Sequence, residues 1–419
     1  MNGVRAENLA NIYNNFSVHP LRTAEEFQKF YVSRPTPSIE SLKERIENSQ
    51  NGGKYIFMGF RGSGKSTELY RLMNLLDENR FFCVFFDIFE FLDMNDFDYR
   101  EFLAALALRL YDSSKSLVSI EKKIGKDFEE FMMDITKIEE REETREGRLG
   151  LSFEKLIVAK LGSEKKTRMI TRTNLESRIT DLMIKLNNLI IEVENSLNRK
   201  IVIIVDGLDK LSRFEQAEDF FYKNYRLLTQ PTCHIIYTFP IDLAYSPRFE
   251  IVRHAFDANV ILSQPPVRTK ALDRVYEKGF EFYRKIAEKK MNLNLIEEKA
   301  LEEAVISTGK LTEFMLTIQE AAIRSLTLKK DVIEYDDVLF SLEILRRTYD
   351  RTLTKEHAVR LIEIHDKKEG RDSRVEDSIV RDLLFSLTAV EYESEEEGKW
   401  CEVNPLLFPL IEQWKEKIS

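Results

Sequence analysis

The chain has 419 residues, of which 43% are hydrophobic and 32% charged, the composition of a folded globular protein of two to four domains rather than a disordered one. Its 63 Lys and Arg against 72 Asp and Glu give a net charge of −9, which excludes a global basic footprint for nucleic acid but leaves a local patch open. Three scattered cysteines, five histidines without paired spacing, no basic-then-apolar leader and no apolar run near ~20 residues argue against a disulfide scaffold, a metal centre, histidine catalysis and a membrane span, and point to the cytoplasm.

Residues 1–52 are predicted helical, with a break at Ser33 to Ser38; helix resumes with Ile39, Leu42 and Ile46 on one face. "KYIFM" then reads as a strand from Tyr55 to Met58, followed by a glycine-rich turn and a helix to about Leu76. "FFCVFFDI" (Phe81 to Ile88) is a continuous apolar run of strand length, suited to a sheet buried on both faces. The stretch 113–175 changes character. It contains the charge run "IEEREETREGRLG" and the basic "KLGSEKKTR", and it reads as a partly mobile helical insertion with a solvated face.

A long amphipathic helix follows, then "IVIIVD" (Ile201 to Asp206), "CHIIYTFP" (Cys233 to Pro240) and "ANVILSQPP" (Ala258 to Pro266) as three further strands. Strands alternating with helices predict a parallel sheet with helices on both faces. Residues 266–350 read as helices, and 351–419 as helix, strand, acidic turn, strand, helix. The pattern divides the chain at 1–52, 53–265, 266–350 and 351–419.

"GFRGSGKS" (Gly59 to Ser66) fits G-x-x-x-x-G-K-[ST] without a mismatch, between a strand and a helix. Residues lacking a Cβ let backbone N–H groups converge on a phosphate chain, and the following helix N-terminus attracts anions. Gly59, Arg61, Gly62, Ser63, Gly64, Lys65, Ser66 and Thr67 are therefore candidate nucleotide contacts, with Lys65 reaching the β- and γ-phosphates and Ser66 binding Mg²⁺. Such a loop requires a carboxylate from a neighbouring strand end, and Asp206 supplies one, bound to Mg²⁺ directly or through its water.

Asp209, three residues on, either orients or deprotonates the attacking water or caps a helix. Thr238 ends the next strand and either senses the γ-phosphate or is an ordinary strand-end threonine. Arg248 and Arg253 are either arginine fingers toward a neighbouring subunit or surface arginines. Lys210 stands where many ATPases of this type carry a second acid.

"GFRGSGKST", "IVIIVDGLDK", "IIYTFP" and "LSQPPV", in that order, resemble the AAA+/STAND class of P-loop ATPases, especially its origin-recognition-like branch, over roughly residues 27–345. Asp206, Gly207, Leu208 and Asp209 keep the D-G-apolar-D of STAND relatives. The resemblance implies ATP as ligand, the Thr238 strand lying between the other two motif strands, and an adenine pocket that includes Tyr31 and Arg34, although the family's glycine is absent beside them. "ISTGKLTEFMLTIQEAAIRSL" resembles the family's helical lid. Residues 351–419 resemble a winged-helix module.

Winged helices commonly bind DNA, but residues 354–419 hold 10 Lys and Arg against 16 Asp and Glu, and the turn "ESEEEGK" would be repelled by phosphates. The favoured reading is an ATP-hydrolysing switch, in defence, signalling or effector recruitment, working as a homo-oligomer or with a protein partner. The alternatives are a DNA-bound regulator of the replication or transposition type, and a slowly hydrolysing nucleotide-binding scaffold.

Overall fold

The structure, a computed structural model, describes residues 5–117, 122–136, 153–162, 165–211, 213–368 and 378–418. The predicted charge run at 138–150 lies outside the described residues.

Three helices lead in, α1 (Leu9–Asn15), α2 (Ala24–Phe30) and α3 (Ser38–Asn48). The five-stranded sheet contains β1 (Lys54–Met58), β2 (Phe81–Asp87), β3 (Lys200–Asp206), β4 (His234–Phe239) and β5 (Ala258–Ile261). All its pairings are parallel, in the order β2-β3-β4-β1-β5. As expected, the Thr238 strand lies between β1 and β3. The alternation along β3 shows why the run forms a central strand: Ile201, Ile203 and Val205 enter one core, and Val202 and Ile204 the opposite one.

Helices cover both faces. On one, α3 and α4 (Lys65–Leu75) contribute Ile39, Leu42, Leu69 and Leu72. On the other lie α5 (Tyr99–Ser114), α6 (Lys122–Ile135), α7 (Phe153–Leu161), α8 (Lys165–Ser177) and α9 (Ile179–Leu197), followed by the short α10 (Phe214–Glu218), α11 (Tyr225–Leu228) and α12 (Phe249–Ala255). The described part of the insertion is not a solvated appendage: Phe128, Met132, Ile157 and Leu175 are buried in the same core as the sheet. The basic segment is also partly buried. Arg168 is 4% exposed and meets Asp93 at 2.9 Å and Asp96 at 2.6 Å, while Arg172 meets Glu101 at 2.8 Å.

Beyond β5 come α13 (Glu277–Lys290), α14 (Glu298–Ile306), α15 (Leu311–Thr327) and α16 (Tyr335–Asp350), sharing a core that includes Leu9, Ile12 and Phe16 of the N-terminal segment. The tail consists of α17 (Lys355–Lys367), α18 (Ser378–Phe385), the antiparallel hairpin β6 (Ala389–Ser394) and β7 (Gly398–Val403), and α19 (Phe408–Ile418). Its hairpin turns inward onto the rest of the molecule. Tyr245 donates to Glu391 at 2.7 Å, Ser263 to Glu393 at 2.9 Å, and the Lys270 N–H to Glu397 at 2.9 Å. Among the described residues no helix is long and apolar enough to cross a membrane.

Candidate functional site

The chain leaves β1 at Met58 and enters α4 at Lys65 through a loop that only glycine permits at two places. Gly62 and Gly64 have φ of 77° and 90°. A Cβ on Gly62 would lie 2.2 Å from Thr312 Oγ1, so its absence lets α15 sit on the loop, where the Thr312 N–H donates to the Gly62 carbonyl at 3.3 Å. No side chain caps the α4 N-terminus, which leaves its first N–H groups for an anion.

The motif side chains converge beside that N-terminus. Lys65 Nζ donates to the carbonyls of Gly59 (2.7 Å) and Phe60 (2.8 Å) and lies 2.8 Å from Asp209 Oδ2. Ser66 Oγ donates to Asp206 Oδ2 at 2.6 Å. Burial, reinforced by the negative charge of Asp209, raises the Asp206 carboxyl above the usual range; the Ser66 bond and the charges of Lys210 and Lys65 oppose this. Neither Asp209 oxygen accepts a well-aligned hydrogen bond. A hydroxyl and a carboxylate in contact, with a second carboxylate close by, form an all-oxygen set suited to a hard cation that keeps waters and shares phosphates. Among the described residues no cluster of three or more His, Cys, Asp or Glu forms a cage of its own. The residues therefore fit Mg²⁺ carried by a nucleotide.

A cavity of about 290 Å³ extends from the loop between the N-terminal segment and the helices after β5. Lys65, Ser66, Asp206 and Asp209 line one end, and Val18, Pro20, Phe30, Ile286 and Met315 contribute apolar surface. Tyr31 and Arg34 both line it. Their polar ends, however, are bound to protein. The Tyr31 hydroxyl donates to Glu68 at 3.2 Å, and Arg34 donates to Glu68 and to the carbonyls of Ser63 and Ser263. Thr67 Oγ1 accepts the Leu21 N–H at 3.1 Å, tying the N-terminal wall to α4.

Other candidates lie away from the phosphate end. Thr238 is fully buried and its hydroxyl oxygen accepts the Leu208 N–H at 3.0 Å, so it holds the turn that carries Asp209. Arg61 points behind the loop, donating to the carbonyls of Asp209 and Leu211. Arg248 and Arg253 are more than half exposed, pair with Glu218 (2.7 Å) and Glu250 (2.9 Å), and do not line the cavity.

Three residues outside the motifs also belong to the site. Glu68 joins Tyr31, Arg34 and, at 3.6 Å, Arg71. Lys290 lines the cavity, donates to the Asn15 carbonyl at 2.6 Å, and is lowered to about 8 by burial. Thr312 closes over Gly62. Glu68 had a sequence signal, an acid one turn into the loop's helix, and Thr312 lies in the segment that resembles a lid; Lys290 reaches the site through tertiary packing.

The model of the KAP family P-loop domain matches residues 36–236. No curated protein matches the chain. Among solved structures, the Aeropyrum pernix ORC2 protein in its ADP form is 11% identical, with 97% of each chain covered and a TM-score of 0.46. The Aeropyrum pernix ORC1 protein in complex with DNA is 12% identical, with 99% of this chain and 98% of that one covered and a TM-score of 0.40. The Thermotoga maritima RuvB Holliday junction branch migration motor is 12% identical, with 94% and 99% covered and a TM-score of 0.38. The matched family model, the sheet order and the phosphate loop together make this a P-loop NTPase fold.

Proposed function

We propose that the chain is an ATP-binding and ATP-hydrolysing molecular switch of the AAA+/STAND type. The observation that carries this reading is the 2.6 Å contact between Ser66 of the phosphate loop and Asp206 of β3, beside Lys65 and Asp209. Ser66 and Asp206 would hold Mg²⁺, which would supply positive charge to the phosphate oxygens when bound. Lys65 adds an ammonium to the same oxygens, and the loop N–H groups cradle them. Asp209 accepts the proton of the attacking water as its oxygen bonds to the γ-phosphorus and the bond to the ADP oxygen breaks. The absence of an N/T-K-x-D guanine motif supports ATP over GTP.

In this reading residues 53–265 form the ATPase core, 266–350 the lid, and 351–419 a winged-helix-like module, with 1–52 contributing to the adenine pocket. The switch acts through a homo-oligomer or a protein effector. Two observations weigh against the DNA-bound alternative. Arg168 and Arg172 of the basic segment are engaged with acids, and the acidic hairpin is turned onto the protein itself.

The test is calorimetric titration with Mg-ATP and Mg-GTP together with phosphate release, with labelled duplex DNA added in parallel at several salt concentrations. Saturable ATP binding and turnover without DNA binding supports the switch. Salt-dependent duplex binding supports the alternative, and no nucleotide binding overturns both.

A further inference from the structure

The phosphate loop has an outer face as well as an inner one. Phe60, 1% exposed, is buried in the tail's core with Leu361, Leu384 and Trp400. Arg61 follows it. Its Nε donates to the Asp209 carbonyl at 3.3 Å and its Nη2 to the Leu211 carbonyl at 3.2 Å. Its guanidinium carbon stands 4.3 Å from the ring centroid of Phe385, the last residue of α18. Buried Asp242 lies in the field of both Arg61 and Arg381 of α18. The loop residue that sequence alone assigns to the nucleotide is thus gripped by the tail on one side, and grips the Asp209 turn on the other.

Among the described residues the backbone of that turn, Leu208–Lys210, has two side-chain anchors from outside itself, besides the Lys65 ion pair to the Asp209 carboxylate. One is the Thr238 hydroxyl, fixed within the sheet. The other is Arg61, whose long side chain keeps one geometry only if something packs against it, because holding it otherwise costs rotamer entropy. Phe385 is what packs against it, a guanidinium on an aromatic face.

We infer that Arg61 is a positioning residue that couples the docking of α18, through Phe385, to the placement of Asp209. The inference rests on the proposed role of Asp209 in hydrolysis and names its regulation: the tail sets turnover without touching the nucleotide. Lifting α18 away withdraws the aromatic brace, lets Arg61 sample other rotamers, and loosens the backbone that aims the carboxylate. ATP affinity, which depends on the inner face of the loop, is left nearly unchanged.

The experiment uses the full chain. Phe385 is 37% exposed, so Phe385→Ala opens no core cavity. Phe385→Ala and Arg61→Leu are each expected to lower kcat about tenfold with ATP Kd within about threefold, and the double variant to be no worse than either single one. Phe385→Tyr, which keeps an aromatic face, is expected to retain parental kcat. Hydrogen exchange at the Leu208 and Lys210 amides gives a readout that needs no turnover, and it is expected to quicken in Phe385→Ala. Unchanged exchange in that variant overturns the inference even if the parent proves to hydrolyse no ATP, a result that would count against the proposed hydrolysis instead. Additive losses in the double variant, or a parental kcat for Phe385→Ala in a hydrolysing protein, also overturn it.

Discussion

Lys65 and Asp209 form an ion pair of 2.8 Å with side chains only 5% and 2% exposed, so the lysine of the phosphate loop and the second acid after β3 neutralise each other inside the protein. Removing one partner of a buried pair leaves an uncompensated charge, at a typical cost of about 3–5 kcal/mol. Lys65→Ala is therefore expected to abolish ATP binding and also to lower stability. Lys65→Ala/Asp209→Asn should recover most of the stability and none of the binding. Chemical denaturation and calorimetric titration of the variants check both. Parental ATP affinity in folded Lys65→Ala would remove the phosphate-loop reading.

The two acids should separate in kinetics. Asp206→Asn is expected to lose Mg²⁺-dependent turnover, because it removes the carboxylate that Ser66 contacts. Asp209→Asn is expected to bind ATP but to hydrolyse it at least about a hundredfold more slowly, since it removes the proton acceptor and leaves the phosphate contacts in place. Single-turnover phosphate release with bound nucleotide measured in parallel distinguishes them. A parental rate in Asp209→Asn reduces that residue to the partner of Lys65.

Arg248 and Arg253 remain available to a neighbour, because their ion pairs are exposed and such pairs contribute about 0–1 kcal/mol each. An arginine supplied in trans is worth about 10³–10⁵ in rate in other P-loop enzymes. Turnover per subunit should accordingly rise with protein concentration. Replacement of one of these arginines should cut turnover far more than affinity, and mixing that variant with Lys65→Ala should restore part of the activity. A rate independent of concentration, from a species that sediments as a monomer with ATP, rules the shared site out.

Stability should fall in mild acid because of His234. The ring is 1% exposed, its Nδ1 accepts the Gly53 N–H at 3.0 Å, and burial lowers it to about 4. Between its ordinary value near 6.5 and about 4 the unfolded chain takes up a proton that the folded protein refuses. Unfolding free energy should therefore decline as pH falls through that window, by roughly 3 kcal/mol, and level off below it. His234→Gln should flatten the decline; an equally steep profile in that variant assigns the acid sensitivity to other groups.

The sheet was legible because its central strands β1, β3 and β4 are buried almost throughout. A run such as Ile201 to Val205 fits a strand buried on both faces, and the acid at its end marks where the strand meets the phosphate loop. The phosphate loop was legible because Gly62 and Gly64 need backbone angles and clearances that other residues lack. What Arg61 does was not legible. Its position in the motif says it is near phosphates, but its side chain turns to the Asp209 and Leu211 carbonyls and to the face of Phe385, more than three hundred residues away. Thr238 was placed correctly in the sheet, yet its hydroxyl accepts from a backbone amide that sequence spacing cannot show. The basic stretch around Arg168 looked solvated because its partners, Asp93, Asp96 and Glu101, belong to a different segment.

The N-terminal segment gives the helices after β5 an unusual suspension. The Ala6 N–H donates to the Lys290 carbonyl at 2.9 Å, the Asn292 N–H donates to the Ala6 carbonyl at 2.8 Å, and Leu9, Ile12 and Phe16 are buried against those helices. Near the cavity the chain thus joins this unit to the sheet at two places, 17–23 and 262–267, rather than at one. A body hung from two straps rocks about the line between them, whereas a flap on a single strap swings freely. Val18 and Pro20 lie on the first strap and Ile286 and Met315 on the suspended unit, so the expected opening of the cavity is a tilt of that unit against its straps.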